Sequence, residues 1–285
     1  ANSTITMNPV ATSDAAFRGG ACPTPEYTIA YTGNYTTSAD ANIKATYGTG
    51  CFVLAHVGAR PVLSANRLLS TVAWRINGQP CYALEGSIFV AGSAVQWLRD
   101  KVGLVLAAGE TEALARSVTS TEGVYLVPAF VGLGAPHWRP SVRGLLTGLT
   151  FGTTRAHIVR ACLEAMSYQT ADLLEAFRAD GVEPAGLRID GGMAVNDWMA
   201  QDLADMLDMT VERPQVTETT ALGAAALAAV GAGLLGSIED VSRLWRLDRA
   251  FHPLLDASTR HHRLAGWRQA VAQTFAGEIG NDQPA

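Results

Sequence analysis

The rhythm of apolar and polar residues changes several times along this chain, and each change marks an element. Cys51–Val57 and Ser70–Ile76 alternate or run apolar as strands do, and Asn77-Gly78 is a hairpin signal leading into a third strand at Cys81–Leu84. Helical spacing predicts a helix from about Ser87 to Lys101 and a shorter one near Thr111–Ser117, followed by a buried strand at Val124–Phe130. Thr154 has the character of an N-cap for a long amphipathic helix reaching about Ala179. Leu187–Ile189 reads as a short strand that ends at Asp190-Gly191-Gly192. A helix over Val195–Leu207, a strand over Thr210–Arg213, an Ala/Gly helix from Thr219 and helices near Ile238–Leu244 and Ala257–Phe275 complete the series. Strands and helices alternating in this way predict an α/β domain.

Residues 1 to about 44 follow no such rhythm. Thr, Ser, Asn and Ala dominate there, so this segment is left unassigned and read as loosely packed, with the α/β domain spanning 45–285. Its Asn2-Ser3-Thr4 and Asn34-Tyr35-Thr36 triplets match the glycosylation pattern, which has no meaning in a cytoplasmic protein. The stretch from Thr219 to Ile238 carries no charge, but Ala and Gly insert poorly into a bilayer; it is read as a buried helix, not a membrane span.

Composition narrows the function classes. Of the 285 residues 48% are hydrophobic and 16% charged, enough for a large core, and a net charge of −5 offers no basic footprint for nucleic acid. Cys22, Cys51, Cys81 and Cys162 fall at irregular spacings, which suggests neither zinc nor a disulfide framework. With no basic-then-apolar leader at the start, a reduced, cytoplasmic setting is expected.

Three small-residue elements are candidates for binding a nucleotide. In Thr46-Tyr-Gly-Thr-Gly-Cys-Phe52, Gly48 and Gly50 suit a turn with φ > 0 or a close ligand approach, and the Thr49 hydroxyl can bond a phosphate. Asp190-Gly191-Gly192-Met193-Ala194-Val195-Asn196 runs from strand into helix, where N-terminal N–H groups attract an anion or a purine edge. Gly92 and Gln96 share a helix face, with Gly92 leaving room for a ligand and Gln96 supplying an amide. The first has a plain structural alternative as a hairpin turn, and the second as a cap on a strand.

These strings, with Tyr82-Ala-Leu-Glu-Gly86, the Gln-Trp-Leu-Arg-Asp run ending at Asp100, and Val127–Pro136, together resemble the C-terminal domain of the glycerol kinases. Gly144, Leu146, Gly148 and Leu149, then His157-Ile158 and Ala161–Glu164, also resemble the FGGY carbohydrate-kinase signature. The likeness runs from about Ala45 to Val271. It implies an actin-like, ribonuclease-H-like fold that closes over ATP and a polyol. It further implies that Gly48 and Thr49 contact the nucleotide phosphates, that Gly92, Gln96, Gly192 and Asn196 line the nucleoside pocket, and that Phe52 packs on the glycerol carbons. Mg2+ is expected to ride on the ATP phosphates. The implied reaction is phosphoryl transfer to the terminal hydroxyl of glycerol, in a cytoplasmic, glycerol-metabolising enzyme.

Two departures qualify that expectation. The family places a Gly-Asp-Gln-Gln string some twenty positions ahead of the Thr-Tyr-Gly-Thr-Gly turn, and its Asp is the base. Here Gly20–Ile29 holds no Asp, and Glu26 behind Pro23 and Pro25 is a poor substitute. No catalytic residue is therefore assigned, and the chain alone is expected to be inactive. Arg139 replaces the usual acidic residue after Pro136-His-Trp138. The rival readings are a kinase for another polyol or a ketose, a catalytically silent nucleotide-binding module, and a fragment associating through an exposed domain interface. The histidines show no ligand spacing; His157 is expected to cap or pack, and Glu85 and Glu164 to form buried hydrogen bonds, not a catalytic pair.

Overall fold

Seven strands form the central sheet of the computed structural model, which describes residues 5–6, 27–28, 42–76, 78–237, 240–241 and 244–277. We number β1 Asn42–Tyr47, β2 Cys51–Gly58, β3 Leu69–Ile76, β4 Gln79–Ile88, β5 Tyr125–Val127, β6 Leu145–Thr147, β7 Gly186–Asp190, β8 Thr210–Pro214 and β9 Leu247–Phe251. The α-helices are α1 Gly92–Trp97, α2 Glu110–Arg116, α3 Arg155–Ala179, α4 Asp197–Leu207, α5 Thr219–Gly231 and α6 Ala257–Ala276. The reading of residues 1–44 lies almost wholly outside the described residues; Ile5–Thr6 pairs with Tyr27–Thr28 in parallel.

The sheet order is β9-β8-β7-β1-β2-β4-β3. β8, β7 and β1 run parallel, and antiparallel partners extend them on both sides. The hairpin expected at Gly78 is present: Ile76 pairs with Gln79, and Gly78 takes φ +78°. β5 and β6 form a separate small sheet in which Tyr125 pairs with Thr147.

Both faces of β2 are covered. Cys51, Val53 and Ala55 point into the main core, while Leu54 joins Ala73, Trp74 and Ala83 on the other face. Helix α3 lies against the main-core face so closely that a β-carbon on Gly86 would come 2.6 Å from Leu173 Cδ2. The predicted start of α3 is exact in position. His157 Nδ1 accepts from the Thr154 backbone N–H at 3.0 Å, and the Thr154 hydroxyl lies 3.0 Å from the same nitrogen. The sequence suggested an amphipathic helix, but residues 161–171 of α3 are buried around the full circumference, because α2, α4, α6 and the sheet enclose it.

Four other expectations change. The helix placed at Ser87 begins at Gly92, since Ser87 and Ile88 finish β4, and it continues as a π-turn over Leu98–Val102. The strand read over Val124–Phe130 is shortened to β5. The helix read from Val195 is a 3₁₀ turn over Gly192–Val195 followed by α4. The Ala/Gly helix α5 buries Thr219, Gly223, Ala226 and Leu227, a single stripe, and is not buried throughout. Among the described residues no helix is long and apolar enough to cross a membrane.

Candidate functional site

Because β1 and β7 are parallel neighbours, with Thr46 opposite Asp190, the turns that follow them emerge side by side from one edge of the sheet. The first is Gly48-Thr49-Gly50 between β1 and β2, and the second is Gly191–Asn196 between β7 and α4. Contact between them is intimate: a β-carbon on Gly191 would lie 2.6 Å from the Tyr47 carbonyl oxygen. Helix α1 closes the third side. The N–H groups of Ala91 and Ser93 donate to the Thr49 carbonyl at 2.9 and 3.0 Å, and that of Gly92 donates to the Gly48 carbonyl at 2.9 Å.

The glycines divide into two kinds. At Gly50 an added β-carbon would meet the Ile88 carbonyl oxygen at 2.5 Å, and at Gly92 it would meet the Gly48 carbonyl oxygen at 2.5 Å and Met193 Cγ at 3.1 Å. Chain packing therefore demands both, and the room that the sequence reserved at Gly92 for a ligand is filled by the first turn. Neither Gly48 nor Gly50 takes a positive φ; Gly191 does, at +86°. At Gly48 and Gly192 an added β-carbon would meet nothing within 4 Å. These two residues, Thr49 and Gln96 are all exposed.

Asn196 has a different place from its neighbours. It is buried, caps α4 by accepting from the Met199 N–H at 2.9 Å, and donates to the Thr111 hydroxyl at 3.2 Å. Its amide thus fixes the second turn against α2. Phe52, two residues past the first turn, is 39% exposed.

Beneath the turns lies a charged pair that the sequence reading missed. Lys44 Nζ stands 3.1 Å from Asp190 Oδ2, and both side chains are buried. Burial raises the Asp190 carboxyl above its usual range, against the opposing pull of Lys44 and the Thr46 hydroxyl. Its attraction links the ends of the two strands that carry the turns, and removing one partner would leave a buried uncompensated charge. The only sequence signal was a Lys and an Asp in two short strands that also carry Asn42, Thr46 and Arg188. Nearby, Tyr47 Oη and Thr170 Oγ1 are 2.7 Å apart, tying β1 to α3.

Glu85 and Glu164 are held in buried hydrogen bonds. Glu85 is buried and accepts from Ser87 Oγ at 3.2 Å. Glu164 accepts from Arg160 Nε at 2.9 Å and from Tyr168 Oη at 2.7 Å. Both agree with the sequence expectation, as does the capping role of His157. Among the described residues, no group of three or more His, Cys, Asp or Glu stands together to hold a metal ion. Cys51, Cys81 and Cys162 are free, and burial pushes the Cys162 thiol up to about 12.

Comparison with known proteins shows what the chain is similar to. The C-terminal domain of the FGGY family of carbohydrate kinases matches residues 43–232. A glycerol kinase of Rhodospirillum centenum is 60% identical over 235 residues, covering 82% of this chain and 47% of that protein. One from Gluconobacter oxydans is 55% identical over 233 residues, covering 81% and 46%. The chain thus spans about half the length of the curated relatives it matches. A crystal structure of Plasmodium falciparum glycerol kinase with ADP superposes with a TM-score of 0.75 at 39% identity, covering 81% of this chain and 47% of that one. A ligand-bound xylulose kinase from Lactobacillus acidophilus shares the fold at a TM-score of 0.70 and 17% identity, covering 83% and 47%. The fold is the actin-like ATPase fold of these kinases.

Proposed function

This chain belongs to the FGGY family of carbohydrate kinases and spans its C-terminal domain, and we propose that it carries the nucleotide-binding half of a cytoplasmic glycerol kinase-type phosphotransferase. The domain so proposed runs over 45–285, and its reaction in the complete enzyme is transfer of the ATP γ-phosphoryl to the terminal hydroxyl of glycerol. The observation that carries the reading is the pair of turns at adjacent parallel strand ends, with Gly48 and Gly192 both exposed and with nothing within 4 Å of a β-carbon at either.

In this reading the phosphates lie over Gly48 and Thr49, where the exposed Thr49 hydroxyl suits an oxyanion and the Gly48 N–H, which donates to the Gly50 carbonyl at 2.9 Å, holds the turn. Nucleoside contacts fall to Gly192, with its open face, and to the exposed Gln96 amide. Gly92 and Asn196 act by fixing the turns: one admits the Gly48 carbonyl, the other caps α4. Phe52 offers an apolar face to the carbons of the polyol. ATP brings Mg2+ with it, and the cation, when bound, neutralises phosphate charge.

Calorimetric titration of the full chain with ADP tests the assignment. Binding should weaken at least about tenfold, roughly 1.4 kcal/mol, in both Thr49→Ala and Gly192→Val. Unchanged affinity in Gly192→Val would remove the pocket from this turn. A second reading, association through an exposed apolar face, rests on Phe151, Leu149 and Val131, which are largely exposed. Sedimentation at several concentrations tests it, and a monomer throughout would dismiss it.

A further inference from the structure

The face of the sheet turned away from the main core is polar where β1 and β7 meet. Ile43, Ala45 and Tyr47 of β1 and Leu187 and Ile189 of β7 enter that core, so the alternation of a strand sends Lys44, Thr46, Arg188 and Asp190 to the other side. Register then sets charge against charge. Lys44 lies opposite Arg188, a pairing of like charges, and Thr46 lies opposite Asp190. Each cation takes its partner elsewhere: Arg188 reaches Glu212, opposite it on β8, at 3.0 Å, while Lys44 reaches along the strands to Asp190 at 3.1 Å.

As a source of stability the Lys44–Asp190 pair is poor. Its side chains are 3% and 1% exposed, and among the described residues neither the ammonium nor either carboxylate oxygen completes a well-aligned hydrogen bond. Attraction in such a setting seldom offsets the loss of water around two ions. Glu218, the residue before α5, adds repulsion on the same carboxylate. The pair nevertheless stands where it bears on both turns. Asp190 directly precedes Gly191, whose φ is +86° and whose N–H donates to the Thr217 carbonyl at 2.8 Å, and Lys44 stands four residues before Gly48 on the strand that leads into the first turn.

We propose that Lys44 and Asp190 are positioning residues of the nucleotide site: their attraction draws the ends of β1 and β7 together and so sets the spacing of the two turns across which the nucleotide lies. This rests on the nucleotide reading. Neither side chain touches the ligand, since both are buried beneath the turns; they act through the strand backbones. A pair that served stability alone could be exchanged for a neutral one with no loss at the site. A positioning pair could not, because turns that meet phosphates and nucleoside together tolerate a displacement of only about 0.5 Å.

Calorimetric titration of the full chain with ADP, beside thermal unfolding by circular dichroism, separates the two roles. Lys44→Met and Asp190→Asn should each lower Tm by roughly 6–20 °C, since a buried charge loses its partner. The double variant, left with no charge to compensate, should recover most of that Tm yet bind ADP at least about tenfold more weakly than the parent. Exchanging the neighbouring pair, Arg188→Met with Glu212→Gln, should leave ADP affinity unchanged. If the double variant does not fold, Asp190→Asn, which keeps the side-chain shape, carries the test at a temperature well below its Tm. Parental affinity in the variant used, affinity that returns in step with Tm, or an equal loss in the Arg188 and Glu212 exchange overturns the proposal. Absence of ADP binding by the parent chain is a separate result: it removes the nucleotide reading, and this proposal with it, before any variant is compared.

Discussion

Gly191 and Gly192 are adjacent in sequence, yet substitution by alanine should affect them in opposite ways. At Gly191 φ is +86° and ψ is 174°, a region that only glycine enters freely, and forcing an L-residue there costs about 1–3 kcal/mol. The new β-carbon would also sit 2.6 Å from the Tyr47 carbonyl oxygen, 2.8 Å from its carbon and 3.1 Å from its nitrogen. These are backbone atoms of a core strand and cannot rotate away, so overpacking adds about 1–3 kcal/mol. The sum, about 2–6 kcal/mol, corresponds to a loss of roughly 5–20 °C in Tm for a domain of this size. At Gly192 the same β-carbon meets nothing within 4 Å and φ is not positive, so Gly192→Ala should stay within about 0.5 kcal/mol of the parent. Thermal unfolding by circular dichroism of the two variants decides the matter. A fall of under about 2 °C for Gly191→Ala, below 1 kcal/mol, or an equal fall for both, would refute the packing argument and with it the placement of the two turns.

Arg263 joins α6 to Asp202 at 2.7 Å, to Glu164 at 3.3 Å and to Tyr168 at 3.0 Å; Arg263→Met should cost about 3–5 kcal/mol because buried Asp202 loses its cation while Glu164 keeps only Arg160, and denaturant unfolding will measure it. Burial raises the Glu85 carboxyl, only partly offset by the Ser87 hydroxyl, so its contribution is full below its unfolded pKa and is lost as pH rises through the higher folded value. Glu85→Gln should therefore be more stable than the parent at about pH 7 and match it near pH 4; a difference independent of pH would contradict this. With glycerol and ATP, a coupled assay of the chain alone should show no phosphorylation, since Gly20–Ile29 provides no Asp as base and an in-line geometry worth roughly 7–11 kcal/mol needs the polyol to be held; turnover abolished by Thr49→Ala would point to Glu26.

Local signals carried much of the fold. Thr154 marked the start of α3 because a cap is a matter of three or four residues, and the Gly78 hairpin was legible for the same reason. β9 was missed because Leu247-Asp-Arg-Ala-Phe251 is a charged edge strand without apolar alternation; its Asp248 pairs with Arg213 of β8 and its Arg249 with Asp197 at the start of α4. β6, of three half-buried residues, offers too short a run to read. Ser87-Ile-Phe-Val fits a strand end or a helix start equally well, and only pairing with β2 settles it. In the site, the sequence found the turns but not their mutual support. Gly92 admitting the Gly48 carbonyl, Asn196 reaching Thr111 and Lys44 meeting Asp190 all join residues far apart in the chain, which periodicity and spacing do not encode.

The central claim, a nucleotide seated over the two turns, is tested most directly by amide chemical shifts of the isotopically labelled full chain during titration with ADP. Saturable shifts are expected at Gly48, Thr49, Gln96 and Gly192, with the Arg67 and Arg139 amides still. Saturation that moves other amides and leaves those four in place, or no shift up to about 10 mM ADP, an affinity weaker than roughly 3 kcal/mol, would contradict it.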